Sequence, residues 1–227
     1  MQLPIEIREM IWEEAIRGMR YLIDSTRGRY GHHSLDAVEI RQYDEGREHR
    51  PRFLPSVCLV SKSTMAEAVA VFIRNSTFMV SSIGGNRFLE AFLTRHNSFP
   101  NIRSLRFDFF DCFPEGYEEN ADLALAAKCT GLATIQFTFH SSKLIHWVLE
   151  DGDDYDEDGL TSLARPVEQL VERYKLRQLL ECKKLDKVIW QRKGYHYDGA
   201  EVALQNLGTW VKDQFAEKKR IITNVYP

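Results

Sequence analysis

The densest grouping of side chains able to do chemistry is the acidic run from Glu150 to Asp158, and within it Asp154-Tyr155-Asp156-Glu157-Asp158-Gly159. Carboxylates at alternating positions followed by glycine match the first half of an EF-hand loop, where positions 1, 3 and 5 ligate calcium and glycine makes the turn at 6. Asp154, Asp156 and Asp158 are therefore the calcium candidates. The second half does not follow. Arg165 stands at the twelfth position, which requires a bidentate Glu, and Thr161 replaces the aliphatic anchor at the eighth. The run reads more simply as a solvated acidic loop, with an acidic patch for a basic partner as its functional form. No metal site is assigned.

The other reactive residue types are scattered. His32, His33, His49, His96, His140, His146 and His196 show no ligand spacing. Cys58, Cys112, Cys129 and Cys182 are widely spaced, with no Cys-x-x-Cys pair. They read as buried free thiols of a reducing compartment rather than a zinc module or a disulfide scaffold. Gly84-Gly85-Asn86 sits where a strand gives way to a helix, a place that can cradle phosphate. It lacks the full glycine fingerprint and a following Lys. No Gly-x-Ser-x-Gly elbow occurs. No catalytic residue and no cofactor are assigned, and the chain is expected not to be an enzyme.

The aromatics Phe107, Phe109, Phe110, Phe137, Phe139 and Trp190 invite comparison with an RNA-stacking sheet. The formal net charge is −3 and interleaved basic residues are sparse, so core strands explain the rings better. No nucleic-acid partner is expected. No apolar run approaches the ~20 residues that span a bilayer, and Glu6 and Arg8 interrupt the N-terminus where a signal peptide needs an apolar core. A soluble, intracellular protein, cytoplasmic or nuclear, is the expectation.

Positioning elements follow from periodicity. Leu3 to Ile16 predicts a helix, with Pro4 at its first position and Glu6 in its first turn. At about 100° per residue, Ile7, Met10, Ile11 and Ala15 share a face, expected to be the core stripe. Ile5, Trp12 and Ile16 form a second stripe across Arg8, so the helix should be packed on two sides. Residues 20–50 look like an insertion: Tyr21-Leu22-Ile23 and Ala37-Val38-Glu39-Ile40 predict the strands of a hairpin, with a turn from Thr26 to Ser34 and an exposed loop over 42–52. Ser61 or Ser63 can cap a helix running to Arg74, and Thr77 to Ser81 predicts a strand.

A repeat then emerges. Ile102-x-x-Leu105-x-Phe107, Leu132-x-x-Ile135-x-Phe137 and Leu185-x-x-Val188-x-Trp190 are short alternating strands, preceded by helical patterns over 86–96, 121–129 and 165–182. Residues 141–164 are an extra segment in the second interval. The spacing resembles leucine-rich repeats without their regular Asn. A helix over about 199–218 should close the stack, and Ile221-Ile222 can add an edge strand. The fold expected is α/β: N-terminal helices packed on irregular leucine-rich-repeat-like helix–strand units with a mostly parallel sheet. The organisation expected is a helical region over 1–76, carrying the inserted hairpin at about 20–50, and a repeat region over 77–227, together one continuous body.

Two blocks carry a family resemblance. Leu3-Pro4-Ile5-Glu6-Ile7 before an amphipathic helix resembles the start of an F-box. The form with Arg8 and Trp12 is similar to the divergent F-box-like proteins of filamentous fungi. Leu54-Pro55-Ser56-Val57-Cys58-Leu59-Val60-Ser61-Lys62-Ser63, running on to Ala66-Glu67-Ala68, is similar to the second half of an F-box. The resemblance covers about the first third of the chain. It implies docking to a Skp1-like adaptor of a cullin ubiquitin ligase, with Leu3, Pro4, Ile7, Ile11, Trp12, Leu59 and Val60 as partner-binding positions. The repeat face and the acidic loop would then select an unknown client. Two features depart from the family: the insertion between the blocks, and Ser63-Thr64-Met65 where the fungal relatives have a second Glu-x-Arg. The alternatives are a structural or regulatory scaffold with no ligase link, or an enzyme whose site is assembled from distant positions.

Overall fold

A computed structural model describes residues 3–27, 37–40, 51, 53–114, 116–149 and 160–227. Helix α1 spans Ile5–Arg27. The Arg8 N–H donates to the Pro4 carbonyl at 3.1 Å, so Pro4 sits just ahead of the first helical residue rather than on it. The helix runs past Ile16 because nothing stops it: no proline follows, and Gly18 alone costs a helix only about 1 kcal/mol. Residues 21–23 are therefore helical, not a strand, and the expected hairpin does not form. Strand β1, Ala37–Ile40, instead pairs in parallel with β2, Thr77–Val80, in the register Ala37↔Thr77 to Ile40↔Val80. Of the turn expected from Thr26 to Ser34, Thr26 and Arg27 are helical and the rest, like most of the loop over 42–52, lies outside the described residues.

A short 3-10 turn at Ser56–Leu59 leads to α2, Lys62–Arg74. The Met65 N–H donates to the Ser61 carbonyl. Ala68, Val69 and Phe72 are buried, as their helical spacing predicts. After β2 comes α3, Ile83–Arg95, capped by the Ser82 hydroxyl, which accepts from the Gly85 N–H at 3.0 Å. Here the glycine pair serves packing. A Cβ on Gly85 would stand 3.1 Å from the Ile40 carbonyl oxygen, so the small residue lets α3 settle on β1.

Strand β3 is Ser104–Phe107, α4 Ala121–Lys128, β4 Thr134–His140, and α5 the single turn Ser141–Leu144. The extra segment is an antiparallel pair, β5 Ile145–Leu149 and β6 Leu160–Ala164. Then come α6, Val167–Tyr174, strand β7, Lys187–Lys193, helix α7, Asp198–Glu217, and strand β8, Thr223–Val225. The larger sheet has the order β1-β2-β3-β4-β7-β8, with β4–β7 and β7–β8 parallel. The fold is α/β with a mostly parallel six-stranded sheet. The repeat residues Leu105, Phe107, Leu132, Ile135, Phe137, Leu185, Val188 and Trp190 are all buried.

Two compact units are present: residues 1–105 with 128–132, and residues 106–127 with 133–227. The division falls inside β3 rather than after residue 76. The reason lies in the first unit's own pairing, since β2 takes β1 as a neighbour and α3 rests on Ile40. In the second unit, Phe107, Phe110, Phe137, Phe139, Tyr174 and Trp190 form a chain of ring contacts at 4.3–6.5 Å between centroids. A sheet that stacks RNA bases must expose its rings. Five of these six are among the aromatics noted in the sequence, and all six are buried; the remaining one noted there, Phe109, is exposed instead.

Candidate docking surface

α1 is turned opposite to the expectation from its apolar pattern. Ile16 is buried and Trp12 half-buried, while Ile7, Met10 and Ile11, the supposed core stripe, are exposed; Ile11 retains 49% of its surface and Met10 64%. The charged side chains of the inner face find partners on α2 and on Asn75, which follows it. Arg8 Nη1 lies 2.8 Å from Glu67 Oε1, Arg74 Nη2 lies 3.4 Å from Glu9 Oε1, and Asn75 Nδ2 donates to Glu13 Oε1 at 3.4 Å. Arg8, Glu9, Trp12, Glu13 and Ile16 thus form the inward face. Leu3, Ile7, Met10 and Ile11 project on the outward one. Each such side chain is worth about 1.5–3 kcal/mol if fully covered.

Of the predicted positions, Ile7 and Ile11 lie on the outer side of α1's first turns, and Leu3 and Pro4 just precede the helix, all exposed. Trp12 does not join them. Its ring is half-buried on the inner side, and its Nε1 has no hydrogen-bond partner among the described residues. Leu59 and Val60 are exposed on the turn that leads into α2, Val60 retaining 75% of its surface. Ile7, Met10 and Ile11 face outward together, against their expected place in the core, because helical periodicity groups residues without saying which group faces out.

The acidic run lies outside the described residues, but its flanks are defined. β5 and β6 bracket it, with Leu149 opposite Leu160. An EF-hand loop is bracketed by helices, and Thr161 and Arg165 belong to β6 and its exit. The EF-hand reading of Asp154, Asp156 and Asp158 loses its framework. Among the described residues no group of three or more His, Cys, Asp or Glu could hold a metal ion.

In the second unit a groove of about 590 Å³ beside α6 is lined by Arg165, Glu168, Glu172, Arg173 and Lys175, among others. Lys175 Nζ donates to Glu172 Oε1 at 2.6 Å, and this bond holds the Glu172 carboxyl below its ordinary value. The lining contains no histidine or cysteine. Burial pushes the thiols of Cys58 and Cys182 up to about 12, so both are poor nucleophiles. The exposed Cys112 is also raised, by desolvation first and by Asp111 next.

Compared with protein-family models, curated proteins and solved structures, the chain matches none. Among the described residues no helix is long and apolar enough to cross a membrane.

Proposed function

We propose that this protein is a non-enzymatic protein–protein interaction module of F-box-like character, whose outward α1 face docks a Skp1-like adaptor and so links a client to a cullin ubiquitin ligase. The observation that carries the reading is the orientation of α1. The helix meets its own chain through Arg8, Glu9 and Glu13 and leaves Leu3, Ile7, Met10 and Ile11 uncovered. A helix that served only its own core would turn those residues inward. An amphipathic helix with an uncovered apolar stripe is suited to a groove on another protein.

Retention of purified Skp1 by the immobilised chain tests this. Wild type should retain it, and Ile11→Asp should lose it while keeping its circular dichroism spectrum, because Ile11 is half-exposed. A folded wild type that retains no Skp1 would remove the adaptor reading.

One observation favours the second reading, a structural or regulatory scaffold with no ligase link. The insertion between the two F-box-like blocks contributes β1 to the sheet beside β2. It is therefore part of the framework. On this reading the α1 face takes a different protein.

A further inference from the structure

The second unit gathers cations and one exposed ring at the carboxyl ends of its parallel strands. Phe109, two residues beyond β3, keeps half of its surface exposed. Lys193, the last residue of β7, places its Nζ 5.6 Å from the Phe109 ring centroid and donates to the Asp108 carbonyl at 2.8 Å. Lys143 in α5 is exposed and lies two residues beyond Ser141, whose hydroxyl donates to the Lys193 carbonyl.

The carboxylates nearby are committed elsewhere. Asp108 is clamped by Arg106, Nε to Oδ1 at 2.5 Å and Nη2 to Oδ2 at 3.1 Å, and also accepts from the Thr138 hydroxyl at 3.1 Å. Asp111 is buried and accepts the His140 N–H at 2.6 Å. Lys143 and Lys193 therefore meet no carboxylate within ion-pair distance among the described residues. The positions are also fixed: the Ser141 hydroxyl donates to the Lys193 carbonyl at 3.0 Å, joining α5 to the end of β7. Lys193 against the half-exposed Phe109, with the exposed Lys143 on the adjoining α5, presents positive charge beside an apolar surface.

We infer that this strand end is a docking patch for an acidic peptide segment of a partner protein, with carboxylates meeting Lys143 and Lys193 and an apolar side chain covering Phe109. The inference deepens the interaction-module reading by giving the chemistry of a bound partner. It rests on that reading but not on Skp1 docking, since the residues involved are all in the second unit.

The probe is a fluorescein-labelled peptide of alternating glutamate and leucine, followed by fluorescence anisotropy with the full chain. It should bind, and binding should weaken as salt screens the charges. Lys143→Glu with Lys193→Glu should weaken it by about tenfold or more, and Phe109→Ser by about threefold, while Lys183→Glu, ahead of β7, should leave it unchanged. Lys193→Gln, which keeps a donor for the Asp108 carbonyl, separates loss of charge from loss of fold and should still weaken binding. Equal binding of a lysine–leucine peptide, preference for oligouridylate over the acidic peptide, or an equal effect of Lys183→Glu would each overturn the inference. Loss of Skp1 retention in Ile11→Asp leaves this result unaffected, so the two proposals fail separately.

Discussion

α7 and α1 are the two longest helices among the described residues, and they direct their apolar residues oppositely. α7 buries Ala203, Leu207, Val211 and Phe215 at helical spacing and leaves mostly polar residues outside, Val202 excepted. α1 turns Arg8, Glu9 and Glu13 toward α2 and sends Ile7, Met10 and Ile11 outward. In both sequences the apolar residues recur at about 3.6-residue intervals. The difference lies in the competition for the inner face. α7 meets β6 through Gly199, where a Cβ would stand 2.8 Å from backbone atoms of Ser162, Leu163 and Ala164. α1 meets a helix that offers Glu67 and Arg74 to Arg8 and Glu9, and it buries Ile16 and half-buries Trp12 on the same side. A period in the sequence is thus a statement about grouping; the neighbour decides which group is core.

The comparison breaks most readily at Phe215. Phe215→Ala should cost about 3–5 kcal/mol by urea unfolding, because the side chain is fully buried. Ile11→Asp, by contrast, should stay within about 0.5 kcal/mol. Similar losses at the two sites would mean that α1's outer face is covered by the chain itself, and the docking proposal would lose its basis.

Gly199→Ala should cost about 1–3 kcal/mol, because backbone atoms cannot yield as a flexible side chain can. A neutral result would mean that α7 and β6 are less closely apposed than their backbones indicate.

Alkaline titration probes both units at once. Cys58 in the first and Cys182 in the second have thiols raised to about 12. Unfolded, they ionise near 9; folded, they stay protonated. Their contribution is fully present below pH 9 and is lost as pH rises from 9 toward 12, at about 1.4 kcal/mol per pH unit for each thiol. Cys58→Ala should flatten that slope by one thiol's worth. At pH 8, Cys112 should react with iodoacetamide before the other three, as the one exposed cysteine.

The smallest effect expected is the Arg8–Glu67 coupling, about 0.2–1 kcal/mol in a double-mutant cycle, since both side chains keep 29% of their surface. A coupling near zero would shift the credit for α1's orientation to Trp12 and Ile16.

The repeat was open to reading because each Leu-x-x-Leu-x-Phe segment combines strand alternation with a following break, and Leu105, Ile135 and Val188 duly lie in the sheet. The inserted hairpin was misread because Tyr21-Leu22-Ile23 is as compatible with a helix as with a strand when no breaker precedes it. The site was half-visible. Leu3, Ile7 and Ile11 stand out by motif, whereas Met10 was misassigned. The Phe109–Lys193 patch joins residues 84 positions apart, which no local pattern links.

By itself the sequence determined the α/β class, the parallel repeat strands and the existence of an N-terminal helix, because alternation and helical period are local properties of the chain. Only the tertiary structure decided which face of that helix is free, that β1 comes from the insertion, and that Lys193 lies against Phe109 with no carboxylate at ion-pair distance among the described residues. Those depend on which side chains from distant segments reach the same place first, and on whether charge pairing or apolar burial gains more there.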